Sequence, residues 1–132
     1  MATEQEKAIV RKRAMRRCEY CRAPENITAY AFHIEHIKPR DEGGKDEIGN
    51  YALSCQHCNR SKWYHLTGED PETGKAERLF DPRKDQWSEH FRIEKKIYIR
   101  GKTPIGRATE NCLEMNQPRT IGNALMRNLF MC

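Results

Sequence analysis

Apolar positions are sparse along the first half of the chain, and their spacing changes from one short segment to the next. Residues 4–17 consist mostly of good helix formers with an apolar residue at intervals, which predicts a helix. Residues 26–37 are rich in β-branched and aromatic side chains that alternate with polar ones at first, which predicts a strand or hairpin. A polar loop with Pro and Gly then leads to a short apolar segment at residues 51–54.

The second half of the chain continues as short elements separated by polar turns. The predicted elements are a helix over 56–65, a loop over 66–78, a short helix around Trp87 and Phe91, a hairpin turning near Glu94–Lys96, a helix over Thr103–Met115 with Pro104 in its first turn, and a last helix from Pro118. Helices and strands of this length indicate an α+β fold. We divide it into a basic N-terminal helix (1–17), a central unit (18–65) and a C-terminal extension (66–132) that packs on the central unit.

The composition indicates a small domain with little apolar material. Hydrophobic residues make up 37% of the 132 residues and charged residues 33%, so a metal or another crosslink is expected to support the fold. The chain has no apolar run long enough to span a membrane, and its first residues lack the apolar segment of a signal peptide. We therefore expect a soluble protein in the reducing cytoplasm.

The charge is unevenly distributed along the chain. The net charge is about +4 over residues 1–17, −4 over 18–90 and +5 over 91–132. A polyanion such as a nucleic acid would be held mainly by the basic flanks, and Arg13, Arg16 and Arg17 are the candidate contacts on the first helix. The alternative is that this basic run is an ordinary solvated helix face.

Four of the six cysteines occur as two Cys-x-x-Cys pairs, Cys18/Cys21 and Cys55/Cys58. Two such pairs can supply four thiolates to one tetrahedral zinc ion, and a closed shell of four thiolates makes that zinc structural. Two disulfides or four unrelated buried thiols are the alternatives, and a reducing compartment favours zinc. Cys112 and Cys132 lie outside the pattern.

The segment between the two pairs concentrates side chains that can carry protons or bind metal. It contains HIEHIKPRDEGG, with His33, Glu35 and His36, followed by GNYAL with Asn50. The second pair lies in CQHCNRSK, which places Asn59 directly after Cys58. In this order and spacing, the chain from residue 18 to its end resembles the HNH endonucleases, and more specifically a small stand-alone branch whose C-terminal segments are similar to LFDPRKDQWSEHF and TPIGRATENCLEMN.

The resemblance implies a ββα-metal fold and a phosphodiesterase site. His36 would be the general base that takes a proton from the attacking water, which suits the imidazole pKa. Glu35, on the opposite side of the strand, would bind the catalytic ion together with Asn59, and two such ligands suit Mg²⁺ or Mn²⁺. Asn50 would fix the loop and orient His36. The acidic position is usually Asp and the last position usually His, whereas this chain has Glu35 and Asn59 there.

Further side chains near this motif are candidates for binding. His33 lies two residues before Glu35 and is a candidate extra metal ligand or phosphate contact, or else an ordinary strand histidine. Trp63 and Tyr64 are predicted to pack against the zinc knuckle, and stacking on nucleic acid bases is the alternative. The candidate DNA contacts near the site are Arg60, Lys62 and Lys38.

The sequence therefore predicts a zinc-stabilised endonuclease that hydrolyses DNA with Mg²⁺ or Mn²⁺. The alternative is a nucleic-acid-binding module of the same fold that does not cut. RNA as substrate, the oligomeric state, sequence specificity and the choice between nicking and double-strand cutting all stay open.

Overall fold

The computed structural model describes residues 2–27, apart from the side chain of Ile27, and residues 31–116. The predicted last helix from Pro118, part of the strand predicted over 26–37, and Cys132 lie outside the described residues. The helices and strands are α1 (Glu4–Arg13), β1 (His33–His36), β2 (Tyr51–Ser54), α2 (Gln56–Lys62), β3 (Thr67–Glu69), β4 (Ala76–Arg78), α3 (Trp87–His90), β5 (Phe91–Glu94), β6 (Tyr98–Gly101) and α4 (Pro104–Cys112). None of the described helices is long and apolar enough to cross a membrane.

Helix α1 begins with a capping box and is shorter than the predicted 4–17. Thr3 accepts from the backbone N–H of Glu6, and the Glu6 carboxylate accepts from the backbone N–H of Thr3. The helix ends at Arg13, and Met15 and Arg16 follow in the left-handed region with φ of 54° and 53°. The prediction that Arg16 and Arg17 lie on this helix is therefore wrong, because the chain has turned away before them.

The centre of the fold is a ββα unit. Strands β1 and β2 pair antiparallel, with His36 opposite Tyr51 and His33 opposite Ser54. Cys55 caps the N-terminus of α2, where its side chain accepts from the N–H of Cys58. All four residues of β2 are buried, so this strand lies in the interior between β1 and the rest of the core.

The C-terminal part adds two hairpins and α4, and one hairpin lies inside the predicted 66–78 loop. Strands β3 and β4 pair antiparallel there, so the prediction of a loop is wrong. Each of these strands has three residues, two of them exposed, so no apolar alternation marked it. The connecting turn is closed by Asp70, whose carboxylate is buried against the guanidinium of Arg107 on α4 at 2.9 Å.

The predicted hairpin and the start of the predicted helix after it are confirmed, although that helix ends at Cys112 rather than Met115, and Phe91 lies on β5 rather than in the short helix before it. Strands β5 and β6 form the predicted hairpin, and its turn places Lys95 and Lys96 at positive φ. Thr103 caps α4 and Pro104 stands in its first turn. One apolar core joins this part to the ββα unit, and Trp87 donates its indole N–H to the carbonyl of Tyr20 at 2.7 Å. The α+β class, with a ββα core flanked by a helix on one side and hairpins and a helix on the other, is confirmed.

Candidate active site and metal centre

The four paired cysteines converge at one buried point. Their sulfur atoms all lie within 4.8 Å of one another, and those of Cys21 and Cys55 are 3.7 Å apart. The backbone N–H of Cys21 points at the sulfur of Cys18, and that of Cys58 at the sulfur of Cys55, each at 3.4 Å. Four converging sulfurs with N–H donors behind them fit a tetrahedral zinc ion.

The ionisation behaviour of these four thiols also favours binding of a cation at the cluster. Burial opposes a thiolate at Cys18, but hydrogen bonds from the other three thiols hold its pKa well below the usual value. The hydrogen bonds to Cys18 and its neighbours raise the pKa of Cys58, and burial adds to the rise. One thiolate thus forms readily, and further ionisation needs a positive charge inside the cluster, which is what a divalent metal supplies.

Glu35 lies on the interior side of β1, between the cysteine cluster and α2. Its side chain is 7% exposed, and its two carboxylate oxygens accept from the hydroxyl of Tyr20 and from the ammonium of Lys62, the latter at 3.4 Å. Burial raises the pKa of Glu35, and the neighbouring Lys62 and Tyr20 oppose that rise. A carboxylate that accepts one bond on each oxygen retains further lone pairs for another ligand.

Lys62 does not lie where the sequence predicted. It is 2% exposed and donates to the carbonyl of Ile37 at 3.0 Å as well as to Glu35. Its assignment as a DNA contact is therefore wrong, because its ammonium group is enclosed by α2 and β1 and cannot reach a phosphate. Its position on α2 directed the long side chain inward rather than along the exposed helix face that carries Arg60.

His36 lies on the opposite side of β1 from Glu35, as alternation predicts. Its Nε2 lies 2.7 Å from a carboxylate oxygen of Asp46, and its ring meets that of Tyr51 edge-to-face at 5.3 Å between centroids. Arg40 binds the same carboxylate through two N–H groups, at 2.9 and 2.8 Å, and holds the pKa of Asp46 well below its usual range. The imidazole is thus oriented by a carboxylate that stays ionised.

Asn50 fastens the loop that follows β1. Its amide oxygen accepts from the backbone N–H of Lys38 at 2.9 Å, and its amide nitrogen donates to the carbonyls of Lys38 and Lys45 at 2.9 and 3.0 Å. The Gly44 Cα lies so close to the Lys38 carbonyl that a Cβ there would stand 1.7 Å from its oxygen. These contacts fix the loop that carries Asp46 beside His36.

Three of the four predicted catalytic residues line one cleft of about 810 Å³, and Asn50 lies outside its lining. Its walls include His33, Glu35, His36 and Asn59. Asn59 lies on α2 and is half-buried, and His33 is exposed. Carboxylate and amide oxygens on the cleft wall, with imidazole nitrogens beside them, are a donor set that a divalent ion accepts.

The predicted DNA contacts fall into two groups. Arg13 donates to the carbonyls of Ile48 and Tyr51, at 3.1 and 2.7 Å, so it ties α1 to the start of β2. Arg16 pairs with Glu25 at 3.3 Å, and Arg17 donates to the carbonyl of Arg22 at 2.9 Å. Lys38 and Arg60 are exposed, and Arg13 and Arg16 are exposed too, with 70% of the Arg16 side chain open to solvent.

The structure also brings in residues that the sequence reasoning missed. Asp46 and Tyr20, which had no predicted role, contact the two central side chains. Trp63 and Tyr64, which were predicted to pack against the zinc knuckle, line the cleft. Tyr20 stands inside the first cysteine pair and Asp46 in the Gly-Gly loop, so their proximity to the motif was a usable signal. His57, between the second pair, lies 2.9 Å from the carbonyls of Leu113 and Glu114, which makes it a tether for the segment after α4.

Comparison with known proteins identifies the central unit. Residues 18–64 match the family model described as HNH endonuclease. A relative is the Septu protein PtuB of Bacillus mycoides (strain KBAB4), 27% identical over an alignment of 116 residues that covers 69% of this chain. The alignment covers 39% of that relative, so the chain spans well under half of its length. No solved structure matches significantly.

Proposed function

We propose that this chain, whose residues 18–64 form an HNH domain, is an endonuclease that hydrolyses DNA phosphodiester bonds. The observation that carries the proposal is the placement of His36, oriented by Asp46 at 2.7 Å, on the wall of the cleft that Glu35 and Asn59 also line. A proton acceptor and oxygen ligands in one cleft are what phosphodiester hydrolysis requires.

His36 is the proposed general base. Because the carboxylate of Asp46 accepts a hydrogen bond from Nε2, the neutral ring carries its proton there and leaves Nδ1 as the basic nitrogen. The edge contact with Tyr51 limits rotation of the ring. The proposed role of Nδ1 is to take the proton of the attacking water, while Asp46 stabilises the imidazolium that forms.

Glu35 and Asn59 are the proposed ligands of a catalytic Mg²⁺ or Mn²⁺ ion, with His33 as a further candidate. Such an ion, when bound, would neutralise charge on the scissile phosphate and on the departing oxygen. In the proposal Tyr20 and Lys62 hold the Glu35 carboxylate in one orientation, so that its free lone pairs point in a fixed direction. Asn50 has an orienting role, because it fixes the loop that carries Asp46.

The cysteine cluster is proposed as a structural zinc centre in the reducing cytoplasm, since four thiols bind zinc only while reduced. It fastens the start of α2, and with it Asn59, to the loop before β1. Residues 18–65 are then the nuclease core, and residues 66–132 an extension that supports it. Lys38 and Arg60 are the proposed contacts to the DNA backbone near the cut, and Arg13, Arg16 and Arg17 are proposed contacts farther along the basic flank.

The test is conversion of supercoiled plasmid by zinc-loaded protein, with and without added Mg²⁺ or Mn²⁺. The proposal predicts conversion to nicked or linear plasmid that depends on the added ion, and the ratio of the two products shows whether one or both strands are cut. Binding to plasmid that weakens with salt, without conversion under either ion, would support the non-cutting module instead. A calorimetric titration adds a second criterion, because the nuclease binds a second, weaker ion and the module does not.

A further inference from the structure

Two large aromatic side chains stand at the edge of the catalytic cleft without being covered. Trp63 is 65% and Tyr64 59% exposed, and both line the cleft that contains His36 and Asn59. The sequence had predicted that they pack against the zinc knuckle, and that prediction is wrong. Exposing a large apolar ring to water is unfavourable. The position of Trp63 beside the proposed catalytic groups therefore indicates that its ring binds a ligand.

A strained turn holds these rings outward. Trp63 ends α2 with φ 47° and ψ −123°, and the N–H of His65 closes the turn on the carbonyl of Lys62 at 2.9 Å. These angles belong to the first central position of a type II′ turn, which glycine usually occupies. A tryptophan there strains the backbone, and such strain is concentrated at functional sites. The buried Lys62 anchors the turn from the inside.

The rings form a connected surface rather than a packed core. The centroids of Trp63 and Tyr64 are 5.0 Å apart with planes tilted by 46°, and the ring of His65 meets Trp63 at 6.0 Å. Because the rings touch one another only in part, a large share of their surface stays open to the cleft side and to solvent. A planar ligand could therefore stack on them without any rearrangement of the core.

The charge around the rings matches a nucleic acid strand. Arg60 is exposed and lies three residues before Trp63 in the sequence. The cleft is lined by the acidic Asp41 and by three cations that also pair with carboxylates, Lys7, Arg11 and Arg40. Aromatic rings that adjoin cations along a groove are typical of single-strand binding, in which bases stack while the backbone follows the charges.

We propose that Trp63 and Tyr64 are a stacking platform for an unpaired base of the strand whose backbone lies in the cleft. This inference deepens the proposed nuclease function and rests on it, because it names the substrate class as nucleic acid that is single-stranded or unpaired at the cut. In a continuous duplex the bases face each other inside the helix and offer no free face to the rings. The platform therefore selects against intact duplex.

The test measures binding of zinc-loaded protein, without added Mg²⁺ or Mn²⁺, to a fluorescein-labelled oligothymidylate of about 12 nucleotides and to a blunt duplex of equal length. Fluorescence anisotropy compares the parent protein with Trp63→Leu, which keeps an apolar side chain but removes the aromatic face. Trp63→Gly is the second variant, since glycine suits the backbone angles of residue 63 and keeps the turn intact. Met15→Ala is the control, because Met15 is 77% exposed and lies outside the cleft.

The proposal predicts that both Trp63 variants bind the oligothymidylate about 5- to 100-fold more weakly, while duplex binding changes by less than about twofold. Unchanged oligothymidylate binding in both variants, at parental zinc content, would overturn it. Equal weakening on duplex and single strand would overturn it as well. Loss of a parental dimer in sedimentation, without any change in binding, would assign the rings to a protein contact instead.

Plasmid cleavage by the same proteins separates this inference from the nuclease proposal. If the parent protein cuts plasmid but its binding of single strands does not depend on Trp63, the nuclease proposal is supported and the platform is refuted. The opposite outcome is a parent protein that cuts neither plasmid nor single-stranded DNA but binds single strands through Trp63. That outcome would support the platform as a binding surface and refute the nuclease proposal.

Discussion

The ion pair between Lys62 and Glu35 predicts a large stability effect that a surface contact would not produce. Lys62 is 2% and Glu35 7% exposed, and their charged groups lie 3.4 Å apart. Lys62→Met keeps the length of the side chain but leaves the carboxylate with Tyr20 alone. Removing one partner of a buried pair costs about 3–5 kcal/mol in the free energy of unfolding. For a chain of this length, that corresponds to a fall in Tm of about 10–20 °C.

A double-mutant cycle completes this prediction. Glu35→Gln alone leaves the ammonium of Lys62 buried without its counter-charge, and we expect a loss of similar size. In the Glu35→Gln, Lys62→Met protein neither charge is buried, so we expect a stability within about 1–2 kcal/mol of the parent and a coupling energy of at least about 2 kcal/mol. Urea unfolding of the zinc-loaded proteins at fixed free zinc gives all four free energies.

The effect of pH on Lys62→Met has a definite sign. Burial raises the folded-state pKa of Glu35 above its unfolded value, and Lys62 opposes that rise. Without Lys62 the folded pKa rises further, so the folded protein binds a proton more readily than the unfolded chain. The loss in stability is therefore largest above the folded pKa of Glu35 and shrinks as the pH falls through it.

Two results would refute this reasoning. Additive single effects of less than about 1 kcal/mol each would show that the two charges are not coupled in a dry interior. The salt dependence of DNA binding provides the other test, because a lysine on phosphate contributes about one unit of slope. We expect Arg60→Ala to reduce that slope and Lys62→Met to leave it unchanged, and the reverse pattern would return Lys62 to the DNA contacts.

Three further predictions concern the metal centre and the support of His36. Cys58→Ser should lose bound zinc to a chelator that the parent resists, measured as zinc per chain, and retention of zinc would exclude the four-thiolate site. Asn50→Ala removes three hydrogen bonds and should lower the free energy of unfolding by about 1.5–4 kcal/mol in urea, whereas no change would show that the loop is held otherwise. Asp46→Asn should slow plasmid cleavage by at least about tenfold at unchanged zinc content, and a parental rate would show that His36 needs no carboxylate partner.

The ββα unit was predicted from the resemblance of its motif residues to the HNH endonucleases. The two cysteine pairs fix where the chain must return, and the alternation of Glu35 and His36 follows from strand geometry alone. The hairpin β5–β6 and the cap of α4 were equally local, since turn and capping residues carry the signal. Hairpin β3–β4 could not be predicted from local residues. Its turn is held by Asp70, which pairs with Arg107 on α4, a helix far along the chain.

The direction of long side chains was the part that the sequence could not supply. Lys62 on α2 is as polar as Arg60. Its side chain points inward because its ammonium group donates to Glu35 on strand β1. Arg13 was predicted as a DNA contact, yet it donates to backbone carbonyls of the chain itself. Trp63 was predicted to pack against the zinc knuckle, but it follows α2 in a turn that leaves it 65% exposed. In each case the neighbouring residues in the fold, and not the residue type, determine the direction of the side chain.

The measurement that tests the central claim most directly is the cleavage rate of the His36→Ala protein. It compares first-order conversion of supercoiled plasmid by zinc-loaded parent, His36→Ala and His33→Ala at saturating Mn²⁺ or Mg²⁺. His33 lies on the same strand and lines the same cleft as a candidate metal ligand, not as the base. Because saturating ion offsets the loss of one ligand, His33→Ala controls for the loss of an imidazole from the cleft. A general base contributes about 10²–10⁴-fold, and we predict a loss of that size in His36→Ala and a much smaller one in His33→Ala. A His36→Ala protein that cuts at the parental rate would contradict the account.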